Sequence, residues 1–495
     1  MMTSGAGQRG RRRVVGILVA LTLLLGGCVS PARPREPATE QRPLQGEYLA
    51  SFHVPYAGPI RCYLTVESSE SGIKANTRPG AALAMLEGVE RLLGTLAAPV
   101  IFPRGMILTW NSTMPADGKV GEGTIGVGAS SALRVKTRMH SPRAPVELVY
   151  KDGRVVALMT LEPGAPGTPA VSDYPALAAR AAEAVRADLF DPALASSSQM
   201  SEYLSDLATV ASKSRDDAEF LFGSYLAARR HLRIGTPLFY RLEGERESAR
   251  LWEGREQEAE PFKVTADDGG IVTLRLDVLA RVEEVDQAMQ AALAASPKGL
   301  MIDLRTCVGP TLASARVASW LCSTPVEMGT YAGPAARDQV APGAGVGLDL
   351  GRGFHAERLA DGLKRDSLLR LRAQPEGGAY TGPVVLLTSR RTSSTAEALV
   401  AALRSAGRVE VAGERTAGRP FLSREIDIGH GWVLRLPTHD FWICNGSRVP
   451  ATGWNPDHAC GKDAAPEHAR KRLRELLRLP LAAAPVRSED PQRAH

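Results

Sequence analysis

The sequence predicts a chain of three parts: a mostly-β N-terminal domain, a helical cap and an α/β core. Three observations predict it. Residues 46–165 alternate short apolar runs, such as IRCYLTVE, GMILTWN and PVELVY, with Gly, Pro and Asn breaks. Residues 170–245 change to a helical period, as in YPALAARAAEAVRADLF, SSQMSEYLSDLATVA and DDAEFLFGSYLAARRHL. From 265 to 480 the pattern becomes strand, helix, strand, which is the order of a parallel sheet.

The first 27 residues stand outside that plan. Arg9, Arg11, Arg12 and Arg13 precede an apolar stretch from Val14 to Leu25, followed by Leu25-Gly26-Gly27-Cys28. A basic start and a short apolar run read as a secretory signal. The small residues before the cysteine resemble the lipobox of bacterial lipoproteins, which makes Cys28 the candidate lipidation site. Removal of four arginines and no acid takes the formal charge from +6 to about +2. The apparent basicity therefore belongs to the signal, and no nucleic-acid partner is expected. Residues 28–45 are rich in Pro, Arg and Glu and read as a tether, so the chain is expected to face the periplasm or the cell exterior on a lipid anchor. Residues 481–495 read as a disordered tail.

In the N-terminal domain, Lys151-Asp152-Gly153 between VELVY and RVVALMTL is a hairpin signal. One helix is expected near 81–96. EPGAPGTPAVSD (162–173) reads as a linker. In the helical region, breaks at Asp191-Pro192 and Ser214 to Asp217 predict three helices. Export allows disulfides. Cys62, Cys307, Cys322, Cys444 and Cys460 are odd in number, and Cys444 with Cys460 is the favoured pair because both flank a turn-rich segment. No cysteine or histidine spacing fits zinc, and no cofactor is expected.

The chemistry concentrates in PVVLLTSRRTSSTAEALVAAL (383–403). An apolar strand meets a knot of hydroxyls and then a helix. Ser394-Thr395-Ala396-Glu397 fits a capping box, in which Ser394 bonds the first helix amides and Glu397 reaches back. The same corner exposes a serine beside helix N–H groups that stabilise an oxyanion. The two readings are compatible.

Four stretches occur in order: GLMIDLRTCVGP, then YTGPVVLLTSRRTSSTAEALVAALRSAGRVEVAGERTAGR, then GWVLRLPT and GWNPD. Together they resemble the C-terminal-processing (tail-specific) serine peptidases, in the branch of the tricorn core and the interphotoreceptor retinoid-binding repeats. The resemblance spans about residues 173–470. It implies a core of crotonase-like (ClpP-like) type acting on protein or peptide substrates through an acyl-enzyme. It implies Ser394, not its neighbour Ser393, as nucleophile, and the amides of Gly309 and Thr395 as oxyanion donors. One branch places a lysine base in GERTxGK; here Arg419 stands there, and an arginine cannot accept the proton. The other branch places a histidine at the end of the helical region, which implies His231 as general base. A helix C-terminus also favours a histidine through its dipole. The orienting acid expected before GWNPD is replaced by Pro450. Asp440, Asp457, His430 and His439 are reserves that also read as structural. Cys307 and Pro310 depart from the family's glycine-rich turn. No insertion large enough for a peptide-tail-binding domain lies between the helices and the core. These departures leave a second expectation, a degenerate module that binds peptide or an apolar ligand.

Overall fold

The computed structural model describes residues 44–53, 58–69, 72–77, 108–114, 119–127, 134–141, 144–149, 155–164, 171–232, 238–253, 262–279, 281–309, 311–351, 368–450 and 452–478. Cys28, the helix expected near 81–96, the Lys151-Asp152-Gly153 turn, Pro310 and the tail lie outside them. The chain forms two compact units: residues 1–259 with 423–437, and residues 260–422 with 438–495.

The first unit begins with an antiparallel barrel. Its strands are β1 (Gly46–His53), β2 (Ile60–Ser69), β3 (Gly72–Thr77), β4 (Leu108–Ser112), β5 (Gly121–Val127), β6 (Arg134–Met139), β7 (Val146–Val149) and β8 (Val155–Pro163). Each pairs with the next, and β1 also pairs with β8, which closes the barrel. The β7–β8 hairpin was expected. The closure was not, because it joins residues about a hundred positions apart. Glu162 and Pro163, expected in a linker, complete β8 instead. Leu64, Val66, Ile73, Ala75, Trp110, Ile125, Met139 and Met159 form a buried core. An eight-stranded barrel is just wide enough for such side chains to fill. Fully buried Trp110 keeps a partner, its Nε1 donating to Thr137 Oγ1 at 3.2 Å.

Four helices follow: α1 (Tyr174–Asp188), α2 (Pro192–Ala195), α3 (Ser198–Lys213) and α4 (Asp217–His231). Side chains of Asp173, Asp191, Ser197 and Asp216 cap them in turn. Three helices were expected. The Asp191-Pro192 break also starts the short α2, since Asp caps and Pro suits the first helical position. After β9 (Leu238–Arg241) comes α5 (Glu245–Trp252).

Two adjacent acids tie α4 to the barrel. Asp216 accepts from Tyr63 N at 3.0 Å and Glu219 N at 2.8 Å. Asp217 accepts from Arg61 N at 3.0 Å, Tyr174 Oη at 2.7 Å and Arg241 Nη1 at 3.2 Å. Burial, with Glu219 nearby, pushes the Asp216 carboxyl from 3.8 up to about 7. The folded chain then keeps a proton that the unfolded chain has lost, so unfolding releases it. Stability from this group is full below about pH 4 and falls as pH rises to about 7. Urea unfolding across that range is expected to show the decline, and Asp216→Asn is expected to flatten it. An unchanged slope in the variant would assign the decline elsewhere.

The second unit is built on a six-stranded sheet of order β10 (Phe262–Ala266), β11 (Ile271–Leu276), β12 (Gly299–Asp303), β17 (Val384–Thr388), β19 (Glu410–Gly413) and β22 (His458–Ala459). All neighbours from β11 to β22 are parallel. β12 and β17 are buried at every position, as parallel strands covered on both faces must be. Side chains alternate between two cores. Leu274, Leu300, Ile302, Val384 and Leu386 join α6 (Val282–Ala294), α7 (Ser314–Leu321) and α8 (Thr395–Ser405). Ile271, Met301, Val385, Leu387 and Ala412 meet Ala465, Ala469 and Leu473 of α9 (Ala465–Arg478). A second sheet contains β14 (Val326–Ala332), β15 (Val346–Leu350) and β16 (Leu368–Ala373), with β14 also pairing the end of β21 (Trp432–Trp442).

The five described cysteines are free thiols. The expected Cys444–Cys460 bridge is therefore absent. Cys460 is held at the edge of the parallel sheet by its N–H to Gly413 O at 2.9 Å, whereas Cys444 lies in the turn after β21 of the other sheet.

Candidate active site

The site grows from the ends of the parallel strands, where a doubly covered sheet leaves its loops accessible. After β17 the chain makes a tight turn, with Thr392 N donating to Ser389 O at 2.9 Å. Hydroxyls anchor the turn to the end of β12: Thr392 Oγ1 donates to Leu304 O at 2.7 Å and Ser389 Oγ to Arg305 O at 2.5 Å. Asp303 grips the Arg305 guanidinium with both carboxylate oxygens, at 2.9 and 2.7 Å. Much of the hydroxyl knot is thus scaffolding.

β18 (Ser393–Ser394) pairs in parallel with β13 (Val308–Gly309), which sets Ser394 beside Gly309. Ser394 then turns the chain into α8 with φ 62° and ψ −135°. A non-glycine residue there is strained by about 1–3 kcal/mol, and such strain gathers at functional sites. The expected capping box is corrected here. Ser394 makes no side-chain cap; its hydroxyl donates to Phe421 O at 3.2 Å. A capping serine needs extended backbone with negative φ, and the left-handed turn removes that geometry.

Glu397 reaches back to the Ser394 N–H, as expected, and has further partners. It is fully buried and accepts from Thr416 Oγ1 at 2.5 Å, Gly418 N at 2.7 Å and Arg419 N at 2.7 Å. Burial raises its pKa, while these donors and the Ser394 N–H pull it back down. Its carboxylate therefore clasps the GERTAGR loop. The loop returns the contact, because Ser394 N donates to Arg419 O at 3.0 Å. Sequence reasoning took Glu397 only as a helix cap; the S-x-x-E spacing gave its contact with the Ser394 N–H but not its three partners in the loop.

Gly309 and Thr395 meet closely. Thr395 Oγ1 donates to Gly309 O at 3.1 Å and Thr311 O at 2.6 Å. A Cβ on Gly309 would sit 2.2 Å from Thr395 Oγ1 and 2.6 Å from Ala396 N. The glycine is needed for close approach, not for its backbone angles. Gly309→Ala is expected to push β13 from the start of α8 and to slow labelling of Ser394 by serine-directed reagents by at least about tenfold, from one misplaced contact. Equal labelling rates would show that this approach is irrelevant to the serine.

His231 belongs to the first unit, at the last position of α4. Its Nε2 lies 2.7 Å from Asp206 Oδ2, and its Nδ1 lies 3.2 Å from Glu202 Oε2, both acids on α3. Asp206 was missed in the sequence; it is the carboxylate that orients this imidazole. Of the reserves, exposed His430 occupies a hairpin turn at φ 52°. Buried His439 bonds Thr438 Oγ1 through Nδ1 at 2.9 Å. Asp440 pairs with Arg448 and Arg337, and Asp457 accepts from Val411 N and Arg404. Both acids hold structure together. Pro450 is exposed and accepts from Gly453 N at 2.7 Å.

Residues 271–460 match the model of peptidase family S41. The match covers this segment alone, less than half of the chain. The S41 segment contains Gly309, Ser394, Thr395, Glu397 and Arg419; His231 lies before it. No curated protein matches the chain. Among solved structures, a candidate peptidase from Parabacteroides merdae is 20% identical at TM-score 0.32, over 44% of this chain and 65% of that one. A lipoprotein from Streptococcus agalactiae is 13% identical at TM-score 0.41, over 63% and 99%. The photosystem II D1 C-terminal processing protease is 14% identical at TM-score 0.37, over 62% and 98%. At such low scores these likenesses carry no functional weight, and the chain spans less than two thirds of the first protein.

Proposed function

We propose that the chain is a serine peptidase that cleaves peptide bonds through an acyl-enzyme on Ser394. One observation carries the reading: Ser394 sits at a strand-to-helix corner with φ 62° and ψ −135°, opposite Gly309. A strained corner of this kind presents a nucleophilic hydroxyl in front of backbone donors. Ser394 Oγ attacks the scissile carbonyl and loses its proton to a base. The carbonyl oxygen becomes an oxyanion held by the amides of Gly309 and Thr395. Collapse expels the amine, which takes the proton, and water then releases the acid.

His231 is the proposed base, with Asp206 fixing one ring nitrogen and the longer Glu202 contact giving way. The proposed architecture is a crotonase-like core with the helical segment as a cap. Cys28 is the proposed lipid anchor that holds the enzyme on a membrane, facing the periplasm or the exterior.

A binding module without catalysis is favoured by one fact, that carboxylates engage both nitrogens of His231. Acid quenching during turnover of an activated ester decides between the two. The peptidase is expected to gain the mass of the acyl group on the peptide containing Ser394, and a binding module to gain none.

A further inference from the structure

We propose that Arg419 is a specificity-determining residue that holds a carboxylate of the substrate beside Ser394. The inference rests on the peptidase reading and adds a substrate class to it.

Arg419 is fixed on both sides of its backbone. Its N–H donates to Glu397 Oε2 at 2.7 Å and its C=O accepts from Ser394 N at 3.0 Å. Its backbone is therefore one hydrogen bond from the nucleophile's own. The residue is exposed, and its guanidinium has no ion pair among the described residues. Glu397 does not neutralise it, because that carboxylate is spent on the loop's amides and Thr416.

The surroundings point the same way. Ala417 N donates to Thr392 O at 2.9 Å and Glu414 N to Thr388 O at 3.0 Å, so the loop runs beside the turn that precedes Ser394. That turn carries Arg390 and Arg391, and the loop carries Arg415; these three also lack ion pairs among the described residues. Arg305, after the neighbouring strand, is held by Asp303. Glu414 is the acid that adjoins the unpaired set in sequence. Four guanidiniums without ion pairs among the described residues, on two bonded loops, favour an anion over a neutral chain.

A guanidinium cannot take the serine's proton, but its planar fork fits a carboxylate with two parallel hydrogen bonds. Arg419 is the member of the four whose backbone bonds that of Ser394, which makes it the position-setting one. The carboxylate belongs either to the chain end of the substrate or to an acidic side chain near the cleaved bond. Both sources share the chemistry, and they separate experimentally.

The test uses Ser394→Ala protein and calorimetric titration with four probes: N-acetyl-Ala-Ala-Ala with a free carboxylate, its amide, and N-acetyl-Ala-Glu-Ala-amide with its Gln counterpart. At least one carboxylate probe is expected to bind more tightly than its neutral partner by about tenfold to a hundredfold, the worth of one charge-assisted hydrogen bond. Preference for the free acid assigns the chain end, and preference for Glu assigns an acidic side chain. Adding Arg419→Gln is expected to abolish the preference, and Arg419→Lys to retain part of it. Equal binding within both pairs, no binding by any probe, or a preference that survives Arg419→Gln would overturn the proposal. Labelling of Ser394 by a fluorophosphonate is read separately in Arg419→Gln protein with Ser394 intact. Unchanged labelling with lost preference confirms a specificity role. Lost labelling in the parent protein would instead strike at the peptidase reading.

Discussion

Ser394→Ala is expected to lower peptide hydrolysis by about a thousandfold to a millionfold, the range seen when an acyl-forming nucleophile is removed. The same position predicts an opposite effect on stability. Alanine keeps the strain of φ 62° and ψ −135°. Glycine relieves it, because without a Cβ the left-handed region carries little penalty. Relief of about 1–3 kcal/mol is partly offset by the greater freedom of an unfolded glycine. Ser394→Gly is therefore expected to be about 1 kcal/mol more stable than Ser394→Ala in urea unfolding, with both equally inactive. A glycine variant no more stable than the alanine one would mean that the corner is not strained, and the structural basis for choosing Ser394 would fall.

The second large effect lies in Glu397. Removing its carboxylate strands one hydroxyl and two amides in a fully buried place. Stranded buried partners of a charged group cost about 3–5 kcal/mol. Glu397→Ala is expected to destabilise by that amount in urea unfolding and to lose activity, because the loop that carries Arg419 also bonds the Ser394 amide. Glu397→Gln fills the space and keeps one acceptor, so a smaller cost of about 1–3 kcal/mol is expected. The pH dependence separates the two effects. Burial holds the folded pKa of Glu397 above its ordinary value. Its stabilising contribution is complete below the ordinary carboxylate range and is lost as pH rises through the folded pKa. Glu397→Gln carries no titrating group and is expected to lack that loss. An equal pH slope in wild type and Glu397→Gln would contradict the assignment.

Local patterns in the sequence located much of this. Continuous apolar runs such as GLMID and VVLLT announced buried parallel strands, and the alternating segments before residue 165 announced a mostly-β region. The position of Ser394 at a strand-to-helix corner was readable, as was its pairing partner's glycine. What escaped depended on distant partners or on a backbone sign. Closure of the barrel joins 46–53 to 155–163, and no local pattern encodes that pairing. S-x-x-E spacing suits a cap when φ is negative, yet the spacing carries no record of φ. Glu397 finds its donors about twenty residues later, in a loop whose sequence suggested only a replaced lysine. Asp206 meets His231 across two helices, and helical periodicity alone does not specify which polar faces meet. The Cys444–Cys460 pairing failed because flanking one turn-rich segment does not bring two chain positions to the same sheet.

The account stands on an activated Ser394, and a fluorophosphonate probe reads that most directly. The protein without residues 1–27 would be labelled and digested, and the adduct placed by mass spectrometry. The predicted result is a single adduct on Ser394, slowed in Gly309→Ala and absent in Ser394→Ala and His231→Ala. An unlabelled but folded protein, or an adduct on Ser393 or another hydroxyl of the turn, would contradict it.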